Sequence, residues 1–252
     1  MITIESTSNS IFKETRKLLT AHGRKKAAAF IIEGERIVRD AVKKSADVHY
    51  VILSADYIGD EDFGGIRTYR ASKEIFSELK STVNSQGILA VCGYADKPLS
   101  DIDFASGVYL YLDSVMDPGN MGTIIRSADA FGVKGVILSK GCVDVFNPKV
   151  LRSTMSGIFT IGLYFDDGNA LDTFRKEGFD VVGTFPRNSV NSKDYTYSDK
   201  TVIVMGNEAN GICPETEKMC TGRVSIPMTG NAESLNVSIA CGIMLYEVFL
   251  HI

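Results

Sequence analysis

Three polar, glycine-containing segments each follow an apolar run that the sequence predicts to be a β-strand. The first, NMGTIIR at 120–126, carries an asparagine and an arginine. The second, GNEANGI at 206–212, carries a carboxylate between glycines, and the third, IPMTGNAESLNVS at 226–238, carries several amides and hydroxyls. Open α/β sheets bind ligands at the loops beyond their strand ends, so these three segments are the candidate site.

The first segment predicts an anion site at the start of a helix. Asn120 stands where a helix N-cap is expected, and the apolar residues within 121–128 follow helical spacing as a buried stripe. This spacing leaves Gly122 and Arg126 off the stripe and on the same side of the helix. Arg126 would then reach back over Gly122 toward the unpaired N–H groups at the helix N-terminus. A surface arginine on an ordinary strand-to-helix turn is the alternative, and this segment alone favours it.

The other two segments add hydrogen-bonding groups to this site. In the second, glycines permit close approach of a ligand to the backbone and Glu208 accepts hydrogen bonds, although a hairpin-type turn is the alternative. The third follows a strand that ends at Ile226 and Pro227, and it precedes a long helix predicted to begin near Asn236. The apolar residues of this helix form a stripe at helical spacing, namely Val237, Ala240, Cys241, Met244, Leu245 and Val248. No G-x-G-x-x-G, G-x-x-x-x-G-K-[ST] or G-x-S-x-G motif occurs, which disfavours dinucleotide, P-loop and hydrolase sites.

Alternating strands and helices predict an α/β fold that would position these segments. The first set of elements occupies residues 1–94 and includes a helix over 8–20, a strand over 27–34 and a further strand over 48–54. Residues 95–106 carry Pro, Ser and Asp without periodicity and are interpreted as a linker. Over 107–252, short strands rich in Val, Ile, Leu, Tyr and Phe alternate with helical segments, which predicts a second domain with a mostly parallel sheet.

Charge is distributed unevenly in a chain whose formal net charge is -4. Residues 1–50 carry ten Lys and Arg against six Asp and Glu, and Arg24, Lys25 and Lys26 are consecutive. A basic surface of this density suits a polyanion such as nucleic acid, and a solvated helix face is the alternative.

Other functional classes have little support in the sequence. The five cysteines show no C-x-x-C pair and the three histidines stand far apart, so neither a disulfide framework nor a metal site is expected. No apolar run approaches the roughly 20 residues that a membrane-spanning helix needs. The N-terminal residues lack the apolar segment of a secretory signal, which makes the cytoplasm the expected location.

In their order and spacing, the three segments resemble the three motifs of the SpoU-type (TrmH-like) RNA ribose 2'-O-methyltransferases. The resemblance covers residues 105–250, and RKKAAAFIIEG at 24–34 is similar to that family's RNA substrate-binding domain. It implies a smaller N-terminal α/β RNA-binding domain and a C-terminal methyltransferase domain whose chain forms a deep trefoil knot around the S-adenosylmethionine pocket, an exception to the rule that chains do not thread loops. It also implies a homodimer, with the first-segment helix and the C-terminal helix at the interface and the active site completed across it.

The resemblance also assigns roles to individual residues. The cofactor contacts that it implies fall on Gly206, Ile226 and Leu235, and less strongly on Thr184, Asn207 and Met228. The residues that it places toward the acceptor as catalytic residues are Asn120, Arg126, Glu208, Ser234 and Asn236. In the N-terminal domain, Arg24, Lys25 and Lys26 are expected to contact RNA phosphates.

Three of these roles have alternatives. Arg126 is often assigned in that family as the general base, but a guanidinium is effectively always protonated, which favours a phosphate clamp. Glu208 is expected to align Asn120 or Arg126, and a role only within its own loop is the alternative. Ser234 and Asn236 suit helix capping as well as they suit a site.

The substrate expected from this resemblance is RNA, and the two-domain layout favours ribosomal RNA. Transfer RNA is the alternative within the same family. A non-catalytic RNA-binding assembly factor on the same fold is a second reading, which the presence of the catalytic residue types disfavours. A nucleotide-binding enzyme acting on small molecules is a third, which would leave the basic N-terminal domain unexplained.

Overall fold

The computed structural model describes residues 2–252, which form two compact units. One unit comprises the chain up to Ala95 together with Phe146–Phe159, and the other comprises Asp96–Val145 and Thr160–Ile252. The strands are β1 (Ile2–Ile4), β2 (Ala29–Glu33), β3 (Val48–Ser54), β4 (Thr68–Ala71), β5 (Ile88–Gly93), β6 (Gly107–Leu112), β7 (Gly135–Leu138), β8 (Gly162–Phe165), β9 (Asp180–Thr184), β10 (Val190–Asn191), β11 (Lys200–Met205) and β12 (Gly222–Ser225). The α-helices are α1 (Ser10–Lys17), α2 (Ala21–Ala27), α3 (Glu35–Lys43), α4 (Lys73–Ser77), α5 (Pro118–Ala130), α6 (Pro148–Ser153), α7 (Ala170–Lys176), α8 (Pro214–Met219) and α9 (Val237–His251).

The first unit is built on a mixed five-stranded sheet with the order β1-β4-β3-β5-β2. Strands β1, β3 and β4 are parallel, and β5 runs antiparallel to both β2 and β3. The helix expected over 8–20 is confirmed as α1, although it ends at Lys17, and a second helix that was not expected, α2, follows it. The Thr20 side chain caps α2 by accepting a hydrogen bond from the Gly23 N–H at 3.1 Å. A Cβ on Gly23 would lie 1.9 Å from the Lys17 carbonyl oxygen, so the tight corner between the helices requires glycine.

A segment from later in the chain, Phe146–Phe159, belongs to the first unit. The Phe146 ring stacks on Tyr94 with centroids 4.0 Å apart and on Phe30 with centroids 4.7 Å apart. Aromatic stacking of this kind adds to the free energy gained from burial. The two-domain division expected from the sequence did not include this segment in the first unit.

The second unit is built on a parallel sheet with the order β10-β12-β9-β11-β6-β7-β8. Residues 202–204 in β11 are 0% exposed, as expected for a central strand that is covered on both faces. Of the segment 95–106, interpreted as a linker, residues 96–106 are part of this unit. Ile102 is buried in its core, and Phe104 packs against the same core. The α/β class and the mostly parallel sheet predicted from the sequence are confirmed.

Helices α5 and α9 pack against each other in the second unit. The stripe predicted for α5 is confirmed, since Met121, Ile124, Ile125 and Ala128 are all 0% exposed. The stripe predicted for α9, namely Val237, Ala240, Cys241, Met244, Leu245 and Val248, is also buried. No helix within residues 2–252 is long and apolar enough to cross a membrane.

Candidate functional site

A cavity of about 440 Å³ lies at the carboxyl ends of β9, β11 and β12, which are neighbours in the sheet together with β6. Its wall comes from the loops that follow these strands and from the start of α9. The six residues expected to contact a cofactor, Thr184, Gly206, Asn207, Ile226, Met228 and Leu235, all line this cavity. Glu208 and Ser234 line it as well, so the structure brings together eight of the residues singled out in the sequence.

The loop after β11 forms a tight turn that is closed by backbone hydrogen bonds, and this turn requires glycine at its first residue. Asn207 and Gly211 exchange two backbone hydrogen bonds of 2.9 Å, which is the hairpin-type turn considered for this segment. A Cβ on Gly206 would lie 2.2 Å from the Gly211 carbonyl carbon and 2.3 Å from the Ile212 nitrogen, so only glycine fits. The Asn207 Nδ2 donates to the Ser114 carbonyl oxygen at 2.8 Å and connects the turn to the loop that follows β6. The turn is therefore a structural element and a cavity wall at once.

Glu208 joins this turn to the start of α5. Its carboxylate accepts hydrogen bonds from the N–H of Asp117 at 3.0 Å, from the N–H of Met116 at 3.2 Å and from Asn120 Nδ2 at 3.0 Å. Partial burial acts to raise the pKa of Glu208, but the hydrogen bonds from Asn120 and from the two backbone N–H groups outweigh it and hold the pKa below its ordinary value. Glu208 is therefore ionised at neutral pH and accepts from Asn120.

The amides of Asn120 and Asn236 continue this chain of hydrogen bonds. Asn236 caps α9, and its Oδ1 accepts hydrogen bonds from the N–H groups of Ser238 at 2.9 Å and Ile239 at 3.3 Å. This leaves Asn236 Nδ2 as the donor to Asn120 Oδ1 at 2.9 Å, and Asn120 Nδ2 must then point to the Glu208 carboxylate. One ionised carboxylate and one helix cap thus fix the orientation of both amides.

The expectation that Asn120 is the N-cap of α5 is wrong. The helix begins at Pro118, and Asp117 is its N-cap, with Oδ1 accepting from the Asn120 N–H at 2.8 Å. Proline suits the first helical position, because its missing N–H would lack a partner there. Asn120 therefore lies in the first turn of α5, where its side chain is available for Glu208 and Asn236.

Arg126 is exposed on α5 and is not part of the cavity wall. Within residues 2–252 its guanidinium has no hydrogen bond or ion pair. Gly122 is buried, so the expectation that it lies off the buried face beneath Arg126 is wrong. Helix α9 packs along α5, and the buried face of α5 is consequently broader than its apolar stripe.

Ser234 and Asn236 differ in their structural roles. Asn236 is the cap of α9, so the capping role considered for it is confirmed, and its second amide group serves the chain of hydrogen bonds described above. Ser234 makes no hydrogen bond with the described residues and is exposed in the cavity wall. Its hydroxyl is therefore open to a ligand.

Several wall residues were not expected from the sequence. Phe185, Pro186 and Met205 follow or end β9 and β11, and Glu217 lies in α8. The position of the first three at strand ends was a usable signal, because the same rule identified their neighbours. Glu217 carried no such signal, since only the tertiary structure brings α8 to the cavity.

The three basic residues expected to contact RNA phosphates differ in their exposure to solvent. Arg24 is 4% exposed, and its Nη1 donates to the Leu18 carbonyl oxygen at 2.8 Å. The expectation that Arg24 contacts RNA is therefore wrong, because its guanidinium is used inside the first unit. Lys25 and Lys26 are exposed on α2 and remain candidates for contact with RNA phosphates.

No group of three or more His, Cys, Asp or Glu in residues 2–252 is arranged to hold a metal ion.

The lowered pKa of Glu208 gives a prediction for the pH dependence of stability. A carboxylate whose pKa is lowered in the folded state stabilises the fold above its unfolded pKa, and this contribution is lost as the pH falls through the folded pKa. We expect the difference in Tm between the wild type and Glu208→Gln to be constant from about pH 8 to about pH 5.5 and to shrink below about pH 4. Differential scanning calorimetry measures it, with the exposed Glu215→Gln as control. A difference that persists unchanged to pH 3 would contradict the assignment.

Comparison with known protein families is consistent with the geometry of the cavity. The model of the SpoU rRNA Methylase family matches residues 107–246. The model of the MRM3-like substrate binding domain matches residues 9–90. The first match covers more than half of the chain and includes every residue of the chain of hydrogen bonds through Glu208.

Individual relatives match almost the whole chain. The 23S rRNA (guanosine(2553)-2'-O)-methyltransferase RlmP of Bacillus subtilis is 34% identical over 97% of this chain and 98% of its own length. The crystal structure of AdoMet-bound rRNA methyltransferase from Sinorhizobium meliloti superposes with a TM-score of 0.89 at 31% identity, covering 99% of this chain and 97% of that one. The AdoMet complex of the SpoU methyltransferase AviRb from Streptomyces viridochromogenes has a TM-score of 0.85 at 27% identity, covering 96% and 97%. The chain therefore belongs to the SpoU rRNA methylase family.

Proposed function

We propose that the protein transfers a methyl group from S-adenosylmethionine to a ribose 2'-hydroxyl of ribosomal RNA. The observation that carries the proposal is the cavity at the ends of β9, β11 and β12, which the Glu208–Asn120–Asn236 chain of hydrogen bonds borders. The chain's membership of the SpoU family, and relatives named as 23S ribosomal RNA 2'-O-methyltransferases, support the reaction and the substrate class.

The cavity is suited to S-adenosylmethionine in its chemistry. Residues 228–235 make no hydrogen bond with the described residues, so their N–H and carbonyl groups are open to the edge of an adenine ring. Ile226, Leu235 and Ala240 supply apolar surface for the ring face. The only ionisable side chains in the described wall are the carboxylates of Glu208 and Glu217, and a wall without a cation suits a sulfonium.

The cofactor supplies an activated methyl group when it is bound, and the chain must position the acceptor. Asn120 and Asn236 are held by the ionised Glu208 and by the cap of α9, so their amides are oriented before RNA binds. A guanidinium is not a proton acceptor, so we do not assign the proton of the hydroxyl to Arg126. We assign it to clamp the RNA phosphate next to the target ribose, where its charge stabilises the developing alkoxide. Ser234 faces the acceptor from the cavity wall.

A homodimer is part of this proposal. Helix α9 and the residue after it carry exposed apolar side chains, each more than half exposed: Ile239, Tyr246, Phe249, Leu250 and Ile252. Apolar surface of this extent on a helix indicates an interface. Arg126 is exposed on α5, beside α9, and lies outside the cavity of its own chain, which supports an active site completed across the interface. We expect a dimer mass by light scattering, and Phe249→Glu to weaken it.

We also propose that the C-terminal chain is knotted. After β12, next to the edge of the parallel sheet, the chain returns to pack α9 against α5, which follows the central strand β6. This path passes the loops after β9 and β11, since all of them line one cavity. The family resemblance implies that the chain threads through these loops.

We also propose a cytoplasmic location, because ribosomal RNA is the proposed substrate.

Lys25 and Lys26 are proposed to contact RNA phosphates through charge alone. Neither lysine has an ion pair or hydrogen bond within residues 2–252, and both lie in the part of the chain that matches a substrate-binding domain. Each phosphate contact contributes about one to the slope of log affinity against log salt. We expect the Lys25→Ala/Lys26→Ala variant to bind ribosomal RNA with a slope shallower by about two. Lys73→Ala is the control, because Lys73 already pairs with Asp56 at 3.1 Å; an unchanged slope in the double variant would refute these contacts.

Labelled methyl transfer tests the proposed function. The full-length protein is incubated with methyl-labelled S-adenosylmethionine and unmodified ribosomal RNA, beside transfer RNA. Label on ribosomal RNA is the expected result. Label on transfer RNA alone would show that transfer RNA, rather than ribosomal RNA, is the substrate. Cofactor binding without methyl transfer to either RNA would favour an RNA-binding role without catalysis.

A further inference from the structure

Phe185 forms part of the cavity wall, and its ring packs against a residue that lies outside that wall. Phe185 follows β9 directly, lines the cavity and is 8% exposed. Its N–H donates to the Val224 carbonyl oxygen at 2.8 Å, which fixes its backbone beside β12. The backbone is thereby set, but the orientation of the ring depends on the groups packed against it.

Arg223 packs against this ring and is itself anchored twice. Its guanidinium carbon lies 3.7 Å from the centroid of the Phe185 ring, well inside the range of cation–π contacts. Nη1 pairs with the carboxylate of Glu217, another wall residue, and Nε donates to the Asn188 carbonyl oxygen at 3.2 Å. Only a planar guanidinium can stack on a ring and make both of these contacts in one geometry.

The Phe185 ring also packs closely against β9, at Gly183. A Cβ on Gly183 would lie 2.5 Å from Cε2 of the Phe185 ring and 2.8 Å from Cys220 Sγ. Gly183 therefore lets the ring lie against the strand, and any side chain at this position would displace it. Together with the guanidinium of Arg223, this packing restricts the ring to one orientation.

We infer that Arg223 is a positioning residue of the cofactor cavity, which holds Phe185 and the loop 186–189 in the geometry that receives S-adenosylmethionine. The inference rests on the proposed function and extends it to a residue outside the cavity wall. A wall that is already ordered lowers the conformational entropy lost on binding. Without the guanidinium, the ring gains rotamers and Glu217 loses its partner. The loss affects cofactor affinity rather than methyl transfer, because the residues that Arg223 contacts, Phe185, Asn188 and Glu217, are not among those assigned to face the acceptor.

Calorimetric titration of the full-length protein with S-adenosylmethionine tests the inference. We expect Arg223→Ala to raise the Kd about tenfold, and Arg223→Lys to recover little of this, since lysine keeps the charge and loses the planar stack. Methyl transfer at saturating cofactor should stay within about twofold of the wild type. Arg187→Ala is the matched control, because Arg187 is exposed in the same loop, and it should leave the Kd unchanged.

A double-mutant cycle separates positioning from a general loss of folding. Phe185→Leu should weaken cofactor binding by a similar factor, and Arg223→Ala in that background should add little, because the stacked pair is already broken. Full additivity of the two changes, or wild-type affinity in Arg223→Ala, would overturn the inference and leave the proposed function intact. A wild-type protein that fails to bind S-adenosylmethionine would instead overturn the proposed function.

Discussion

Replacing Arg126 by lysine is expected to lower the rate of methyl transfer about 100-fold, and replacing it by alanine about 1,000-fold, with cofactor affinity unchanged. Arg126 has no hydrogen bond or ion pair among the described residues, so neither variant removes a contact that stabilises the fold. Lysine retains the positive charge but loses the fork that holds two phosphate oxygens at once. The loss in Arg126→Lys therefore measures the geometry of the clamp, and the further loss in Arg126→Ala measures its charge.

The control for these variants is Arg175→Lys, which changes an exposed arginine on α7. Single-turnover rates with saturating S-adenosylmethionine give the transfer step, and titration calorimetry gives cofactor affinity. Arg126→Lys with a near-normal rate would contradict the clamp. A rate in Arg126→Ala that is restored by raising the pH would instead indicate that Arg126 acts through proton transfer.

Replacing Glu208 by glutamine is expected to lower methyl transfer about 10- to 100-fold, although the two side chains have the same shape. The carboxylate accepts from two backbone N–H groups and from Asn120 Nδ2 through both of its oxygens. Glutamine offers one oxygen and one NH₂ group, so an N–H would face another N–H at the start of α5 or at Asn120. Asn120 would rotate, and its hydrogen bond from Asn236 would be lost with it.

The matched control for Glu208→Gln is Glu215→Gln on α8, where the carboxylate is exposed and has no hydrogen bond within residues 2–252. Asn236→Asp provides a second comparison, because it keeps the cap of α9 but removes the donor to Asn120. We expect Asn236→Asp to lower the rate as well, with little change in Tm. Full activity in both Glu208→Gln and Asn236→Asp would show that the chain of hydrogen bonds serves only the fold.

The spacing of apolar residues in the sequence was sufficient to predict most of the helices and strands, because this spacing reflects which side chains are buried. The apolar stripes of α5 and α9 and the apolar run of β3 at Val48–Ser54 are local signals, and the structure has these elements where they were expected. Helix boundaries that depend on a single capping side chain were not predicted correctly. Thr20 begins a separate helix α2, and Asp117 rather than Asn120 begins α5. Several residue types suit a cap, so their order in the sequence does not decide which one is used.

Contacts between distant segments explain the remaining differences. Arg24 sits in a basic run typical of RNA contact, but the fold buries it against the Leu18 carbonyl oxygen. Phe146–Phe159 joins the first unit although it follows β7 of the second. The loops of the candidate site were found because strand ends in parallel sheets gather at one edge. The hydrogen bonds that order Asn120 and Asn236 join residues 88 and 116 positions apart, and no local pattern reports them.

The linkage formed in the RNA tests the central claim most directly. Ribosomal RNA labelled by the wild-type protein with methyl-labelled S-adenosylmethionine is digested with alkali, which cleaves every linkage whose 2'-hydroxyl can attack the adjacent phosphate. A methylated 2'-oxygen cannot attack, so the reaction proposed here leaves the label in an alkali-resistant dinucleotide, and in the same reaction time Arg126→Ala leaves only a trace of it there. Label recovered in mononucleotides would place the methyl group on a base and contradict the assignment of the ribose 2'-hydroxyl as the acceptor.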